Sequence, residues 1–223
     1  MTRADEVRAN VAEVEARVRA ACARAQRARE DVLLVAVTKT FPSADVEHAI
    51  AAGITDVGEN RVQEAREKKP GVASSAQWHL IGHLQSNKAK DAVRLFDVIQ
   101  SIDSASLAER IAKAAAAEGK RQQVLLQVNI GREAQKSGLD PSETAIVARD
   151  VMKLPSLDVR GLMAIPPAGD AEATRPYFRE LRALRDELGL VHLSMGMSDD
   201  FEVAIEEGST MVRVGRAIFG SRG

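Results

Sequence analysis

A chain with a single cysteine, Cys22, has no partner for an internal disulfide and no cysteine cluster for a metal. That scarcity suits a reducing compartment such as the cytoplasm. Neither sign of charge is in surplus: 31 Lys and Arg face 32 Asp and Glu, for a net charge of −1. Charge therefore gives no pointer to nucleic acid or to an anionic membrane as partner. No apolar run approaches the roughly 20 residues of a membrane span. The first 31 residues are rich in Arg but carry several acids and lack an apolar centre. They read as neither a transit peptide nor a secretory signal. No G-x-G-x-x-G follows the first apolar run, which argues against a dinucleotide-binding sheet. No linker or low-complexity tract interrupts the 223 residues, so one domain spanning 1–223 is expected.

The composition that is present, 45% apolar and 28% charged, is that of an ordinary globular protein. Val7, Val11, Val14 and Val18 recur at helical spacing, and Thr2 with Asp5 resembles a capping box. An N-terminal helix is expected, its charged face either solvated or, alternatively, bound to a partner. Beyond residue 31, eight short runs rich in Val, Ile or Leu alternate with helix-like segments. The runs are "VLLVAVTK" (32–39), "ITDVGEN" (54–60), "QWHLIGHL" (77–84), "FDVIQSID" (96–103), "QQVLLQVNI" (122–130), "DVRGLMAI" (158–165), "VHLSMGMS" (191–198) and "TMVRVGRA" (210–217). Several intervening segments open on Ser, Asp or Pro and stop at Gly, as helix ends should. Such alternation implies an α/β fold with a parallel sheet covered on both faces. A closed (β/α)8 TIM barrel and an open doubly wound sheet both satisfy it, and the count of eight favours the barrel.

In such a barrel the chemistry sits at the C-terminal strand ends. The first run ends on Lys39, where Gly, Asn or Asp is the usual exit. A loop lysine is ordinarily a solvated charge. Here the backbone continues a buried strand, which would bring the amine inside the rim. A partly desolvated amine near another cation loses its proton more readily, and the neutral amine attacks aldehydes. Runs two to six end on Gly58-Glu59-Asn60, His83 and Gln85, Gln100-Ser101 and Asp103, Gln127 and Asn129, then Met163 and Pro166. The last two carry "SMGMSDD" and "RVGRAIFG", with Gly196 and Gly215 in the loops that form the usual phosphate site of this fold. Either glycine alone reads as a turn residue. Together with Lys39 on the adjoining first strand, they suggest an aldehyde bearing a phosphate, a description that pyridoxal 5′-phosphate fits. His79 and His83 are four apart, a metal spacing on a helix but not on an extended run, so no metal site is expected. Lys136, beside the fifth rim position, reads as a surface lysine, with a second, weaker Schiff base or a part in ligand release as the alternative.

The stretches "VAVTKTFP", "DVGENRVQE", "WHLIGHLQSNK", "KSGL", "GLMAIPP" and "LSMGMSDDFEVAIEEGSTMVRVGRAIFG" resemble, over nearly the whole chain, the pyridoxal 5′-phosphate homeostasis protein family. The resemblance implies a barrel like the N-terminal domain of alanine racemase, with an extra N-terminal helix. It implies that Lys39 is the Schiff-base lysine, that Ser194, Ser198, Gly215 and Arg216 fall in the phosphate-holding segments, and that Asn60 and Met195 fall in segments lining the cofactor. Arg213 matches an arginine facing the pyridine nitrogen in the related racemase. An arginine there disfavours ring protonation and weakens the ring as an electron sink, which suits holding a cofactor better than catalysis.

Three functions compete: a non-catalytic holder that buffers or delivers pyridoxal phosphate, with cofactor-requiring apo-enzymes as recipients; a pyridoxal-phosphate-dependent racemase or decarboxylase; and a barrel enzyme in which Lys39 attacks a phosphorylated sugar. Racemases of this fold carry a catalytic tyrosine on a further domain, whereas the only tyrosine here, Tyr177, is mid-helix in "RPYFREL". The first reading, as a cytoplasmic monomer, is the expectation.

Overall fold

The side chain of Thr2 accepts the Asp5 backbone N–H while the Asp5 carboxylate accepts that of Thr2, so the first helix opens on the reciprocal cap its sequence predicts. This helix, α1 (Arg3–Arg24), buries the valine stripe of Val7, Val11, Val14 and Val18. In this computed structural model, which describes residues 1–220, the chain then alternates strand and helix. The order is β1 (Leu33–Val37), α2 (Ser43–Ala51), β2 (Asp56–Glu59), α3 (Val62–Lys68), β3 (Gln77–Leu80), α4 (Ala89–Leu95), β4 (Val98–Ile102) and α5 (Ala105–Ala117). It continues with β5 (Gln122–Val128), α6 (Pro141–Val151), β6 (Leu157–Ala164), α7 (Ala171–Leu188), β7 (His192–Ser194), α8 (Phe201–Glu206), β8 (Met211–Val214) and α9 (Arg216–Phe219). The last three residues of the expected domain, 221–223, lie outside the described residues.

The strands close into a parallel barrel in sequence order, with β1 paired to both β2 and β8. The closed barrel thus holds, and the open sheet does not. Several strands are shorter than their apolar runs. β1 stops at Val37, because Phe41 N–H bonds back to Thr38 C=O and turns the chain there. β7 stops at Ser194, and the run expected to continue to residue 217 ends at Val214, since Gly215 caps α9.

Period-2 alternation sorts the strand residues into two cores. Outward-facing Leu34, Ala36, Val57, Trp78, Leu80, Ile99, Val124, Leu126, Leu162, Leu193, Met195 and Val212 pack under the helices in one continuous layer. The barrel interior holds a small apolar cluster of Leu125, Met163 and Met211, with Leu33 and Ile165 against it, and further buried valines at Val35 and Val98. Asp56, His79, Gln100, Ser194 and Arg213 occupy buried strand positions too, and all are polar. α1 is the extra helix. It packs beside α2, α8 and α9, over the seam where β8 meets β1. There Arg3 forks onto the Asp45 carboxylate at 3.1 and 2.9 Å and donates to Phe219 C=O. Arg17 pairs with Glu202 at 3.2 Å and Arg24 with Glu206 at 2.7 Å. The charged face expected to be solvated is therefore partly spent on contacts within the chain.

Candidate ligand site at the C-terminal rim

Lys39 stands in the turn after β1, half-buried, rather than on the strand itself. Thr38 before it is fully buried and donates its backbone N–H to Gly58 C=O, extending the ladder by one residue. Thr40 after it has φ 69°, a left-handed conformation uncommon for a β-branched residue. A buried ion pair holds the turn from behind. Glu59 faces the helix layer, where it accepts from Thr38 Oγ1 at 2.5 Å and is bonded by Lys68 Nζ, which also donates to Thr38 C=O at 2.7 Å. Burial pushes the Glu59 carboxyl up, against the pull of Lys68 and Thr38.

Opposite this turn lie the loops after β7 and β8. Gly196 has φ 94°, and a Cβ there would lie 2.6 Å from Ala204 Cβ and 2.9 Å from Phe201 Cα, so the loop can pass this close to α8 only with glycine. The Met197 N–H donates to Asp200 Oδ1 at 2.7 Å, and burial raises the Asp200 carboxyl despite that bond and nearby Arg213. Ser198 Oγ accepts from Ala217 N–H at 3.4 Å, joining the two loops. Gly215 begins the last turn, with Val37 C=O 3.2 Å from where its Cβ would be. Phe41 packs on Phe219 at 5.0 Å between centroids, which draws the β1 turn against α9.

Together these segments enclose a cavity of about 260 Å³ lined by Lys39, Asn60, Ser198, Asp199, Arg213, Gly215 and Arg216, with Val37, Ile81, Ile165 and Met197 as its apolar walls. That size is below the ~300–1,000 Å³ common for larger ligands and suits one ring with a short substituent. Arg213 rises from β8, 3% exposed, and donates to Ser194 Oγ at 2.6 Å and Ala164 C=O at 3.0 Å. Burial pushes its guanidinium down to about 10. Arg216 is exposed and bonds to the Asp199 carboxylate.

Six of the eight expected residues therefore meet in one cavity: Lys39, Asn60, Ser198, Arg213, Gly215 and Arg216. Two do not line it. Ser194 is fully buried, its hydroxyl shared between Arg213 and Gln100, and Met195 faces outward into the layer under the helices. Glu59 and Ser101 are likewise buried in the barrel wall instead of standing at the rim. His79 bonds Asp56 and Gln100 inside the barrel while His83 meets Asp103 and Ser137 on the rim. Among the described residues no His, Cys, Asp and Glu cluster forms a metal site. Lys136 donates to Pro166 C=O at 3.1 Å and pairs with Glu133. Asp199 was not foreseen; its signal was the acidic pair after "SMGMS".

A closed eight-strand barrel with an amine, an arginine and two glycine loops on its C-terminal rim defines a class, and the family model for the alanine racemase N-terminal domain matches residues 7–223. A protein from Bifidobacterium adolescentis superposes with a TM-score of 0.92 at 39% identity, over 97% of this chain and 96% of that one. Within that class the chain belongs to the pyridoxal phosphate homeostasis protein family. A relative of that name from Pseudomonas aeruginosa is 45% identical over 217 residues, 96% of this chain and 94% of that protein. PipY of Synechococcus elongatus, solved with pyridoxal phosphate bound, is 37% identical with a TM-score of 0.84, over 96% of this chain and 100% of that one.

Proposed function

We propose that this chain holds pyridoxal 5′-phosphate in the rim cavity, anchored covalently to Lys39, and serves its homeostasis without turning over a substrate. The observation that carries this reading is the meeting of Lys39, Arg213 and the Gly196 and Gly215 loops around one cavity sized for a single ring. The donor set fits the group: an amine for the aldehyde, a guanidinium for the ring, and a hydroxyl, an arginine and close-packed glycine loops for a phosphate. When bound, pyridoxal phosphate supplies an aldehyde that condenses reversibly with a primary amine.

Lys39 supplies that amine from a turn fixed by the buried Glu59–Lys68 pair. Ser198, Gly215 and Arg216 cradle the phosphate, with charge-assisted bonds from the exposed guanidinium. Asn60 borders the ring position. Arg213 donates toward the ring nitrogen and, as a buried cation, opposes protonation there, which restrains carbanion chemistry. Tyr177 packs against the outer core from α7, so it presents no proton donor to the cavity. An open rim leaves the anchored ligand within reach of apo-enzymes that need it.

The test is the absorption spectrum of the protein with pyridoxal phosphate, followed by borohydride reduction and peptide mapping. A yellow band that borohydride bleaches, with the label on Lys39 and the band absent in Lys39→Ala, is expected. Labelling of another lysine would overturn the anchor. In deuterated solvent the loaded protein should exchange the Cα hydrogen of amino acids no faster than free pyridoxal phosphate. Faster exchange that is lost in Lys39→Ala would make it an enzyme.

A further inference from the structure

Arg213 is a buried cation that no ion pair joins to a carboxylate among the described residues, although buried Asp200 in the loop after β7 acts on it electrostatically. Its hydrogen bonds nonetheless lead to one. Nη1 donates to Ser194 Oγ at 2.6 Å, and Ser194 Oγ donates to Gln100 Oε1 at 2.6 Å. Gln100 Nε2 then meets His79 Nδ1 at 2.9 Å, and His79 Nε2 meets Asp56 Oδ1 at 2.8 Å. All five residues are at most 5% exposed, and they come from β8, β7, β4, β3 and β2. The bond from Gln100 to Ser194 crosses the barrel interior. Asp56 and His79 also line a cavity at the opposite, N-terminal mouth, so the chain runs the length of the interior.

For a neutral His79 imidazole, donor and acceptor chemistry fixes the direction of every link. Guanidinium only donates, so Ser194 accepts from Arg213 and has one proton to give, which goes to the Gln100 carbonyl. The Gln100 amide nitrogen then donates to His79 Nδ1, leaving the proton on Nε2, where it points at the Asp56 carboxylate. The opposite amide orientation would set two acceptors, neutral His79 Nε2 and the Asp56 carboxylate, face to face. A cation stands at one end and an anion at the other, with all the intervening dipoles aligned.

We propose that Ser194, Gln100, His79 and Asp56 act as positioning residues for Arg213: their one-way relay holds the guanidinium aimed at the rim. The proposal deepens the reading of the rim as a pyridoxal phosphate site and rests on it. Aligned bonds polarise one another in a low-dielectric interior, so the break of one link is felt at the far end.

The test uses Gln100→Leu, which cuts the relay in the middle without touching the cavity, and Ser194→Ala, a smaller change. Ser194→Thr restores the hydroxyl and serves as the conservative control. In the ligand-free protein, ¹⁵N NMR of the Arg213 guanidinium should show hydrogen exchange about tenfold faster in the first two variants and near the unmodified rate in Ser194→Thr. With pyridoxal phosphate labelled with ¹⁵N in the ring, the bound ring-nitrogen shift should move in the first two variants and return in the third, and affinity should fall about tenfold. Circular dichroism certifies the fold, and Ser194→Ala decides alone should Gln100→Leu not fold. Folded variants with unchanged Arg213 exchange and an unchanged ring-nitrogen shift would overturn the relay while leaving the rim site standing. No link to Lys39 in the unmodified protein would instead overturn the rim reading, and the ligand-free arm would still decide the relay.

Discussion

At φ 69°, Thr40 carries a conformation that costs an L-residue roughly 1–2 kcal/mol. Glycine would remove that cost and give back about 0.5–1 kcal/mol through the entropy of the unfolded chain. Thr40→Gly should thus leave stability level or raise it by up to ~1 kcal/mol, a gain of about 2–4 °C in Tm for a chain of this size. Thermal unfolding checks this; a clear fall in Tm would show that Thr40 makes contacts worth more than its strain. The lysine at the exit of β1 gains a stiff turn in exchange, since the residue after it has little freedom. Lys39 and the Gly196 and Gly215 loops were legible because strand ends and their glycines are local features. The relay was not. Asp56, His79, Gln100, Ser194 and Arg213 share the inward parity of their strands, which the sequence shows, but nothing local says that β4 will reach β7 across the interior. The spacing of His79 and His83 is likewise visible in the sequence, and their separate partners, Asp56 and Gln100 for one and Asp103 and Ser137 for the other, are not.

Between elements, a buried ion pair ties β2 to the end of α3. Glu59 is fully buried and Lys68 8% exposed, each the other's charge partner. Removing one partner of such a pair leaves a bare buried charge at about 3–5 kcal/mol, whereas replacing both by apolar groups is often neutral. Lys68→Met and Glu59→Met should each lower the unfolding free energy by about that much, and the double variant by far less, as read from urea denaturation. Additive single effects would sink this account. The strands themselves were read one to four residues too long at their ends, because apolar composition does not register the turn closed at Phe41 or the cap at Gly215. Glu59 was read as a rim group because it follows an apolar run, yet its odd place against inward Gly58 turns it to the helices.

Across the whole molecule, ion pairs join late helices to each other and to α1. The Glu206 carboxyl is held low by Arg175 and Arg24, and Glu207 is held low by Arg179 and Arg175, which outweigh the burial that pushes it up. Glu172 is lowered by Arg175 as well. A carboxyl whose folded pKa lies below its unfolded value, about 4.3 for Glu, contributes stability above that value and loses it as pH falls through the folded pKa. Glu59 and Asp200, both raised by burial, act in the opposite sense. The lowered group is larger, so the urea midpoint should fall between pH 6 and pH 3. Arg175→Met should lower the midpoint at pH 6 and flatten its acid dependence; an unchanged slope would show that these pairs are screened out. The barrel closure was legible from the count of eight runs, while the placement of α1 over the seam was not, since amphipathicity says which face is buried and not against what.

That placement has a consequence for the order of events during synthesis. α1 leaves the ribosome well before its seat exists: the surfaces that cover its valine stripe include α8 and α9, made more than 170 residues later. Until β8 and α9 emerge, the first strand has no second neighbour and the first helix no complete seat. The stripe must wait, exposed or sheltered by a chaperone, while those residues are made. Docking of α1 onto α8 and α9 is then a late step of folding, and it shuts a long loop whose closure entropy must be met before the contact rewards it.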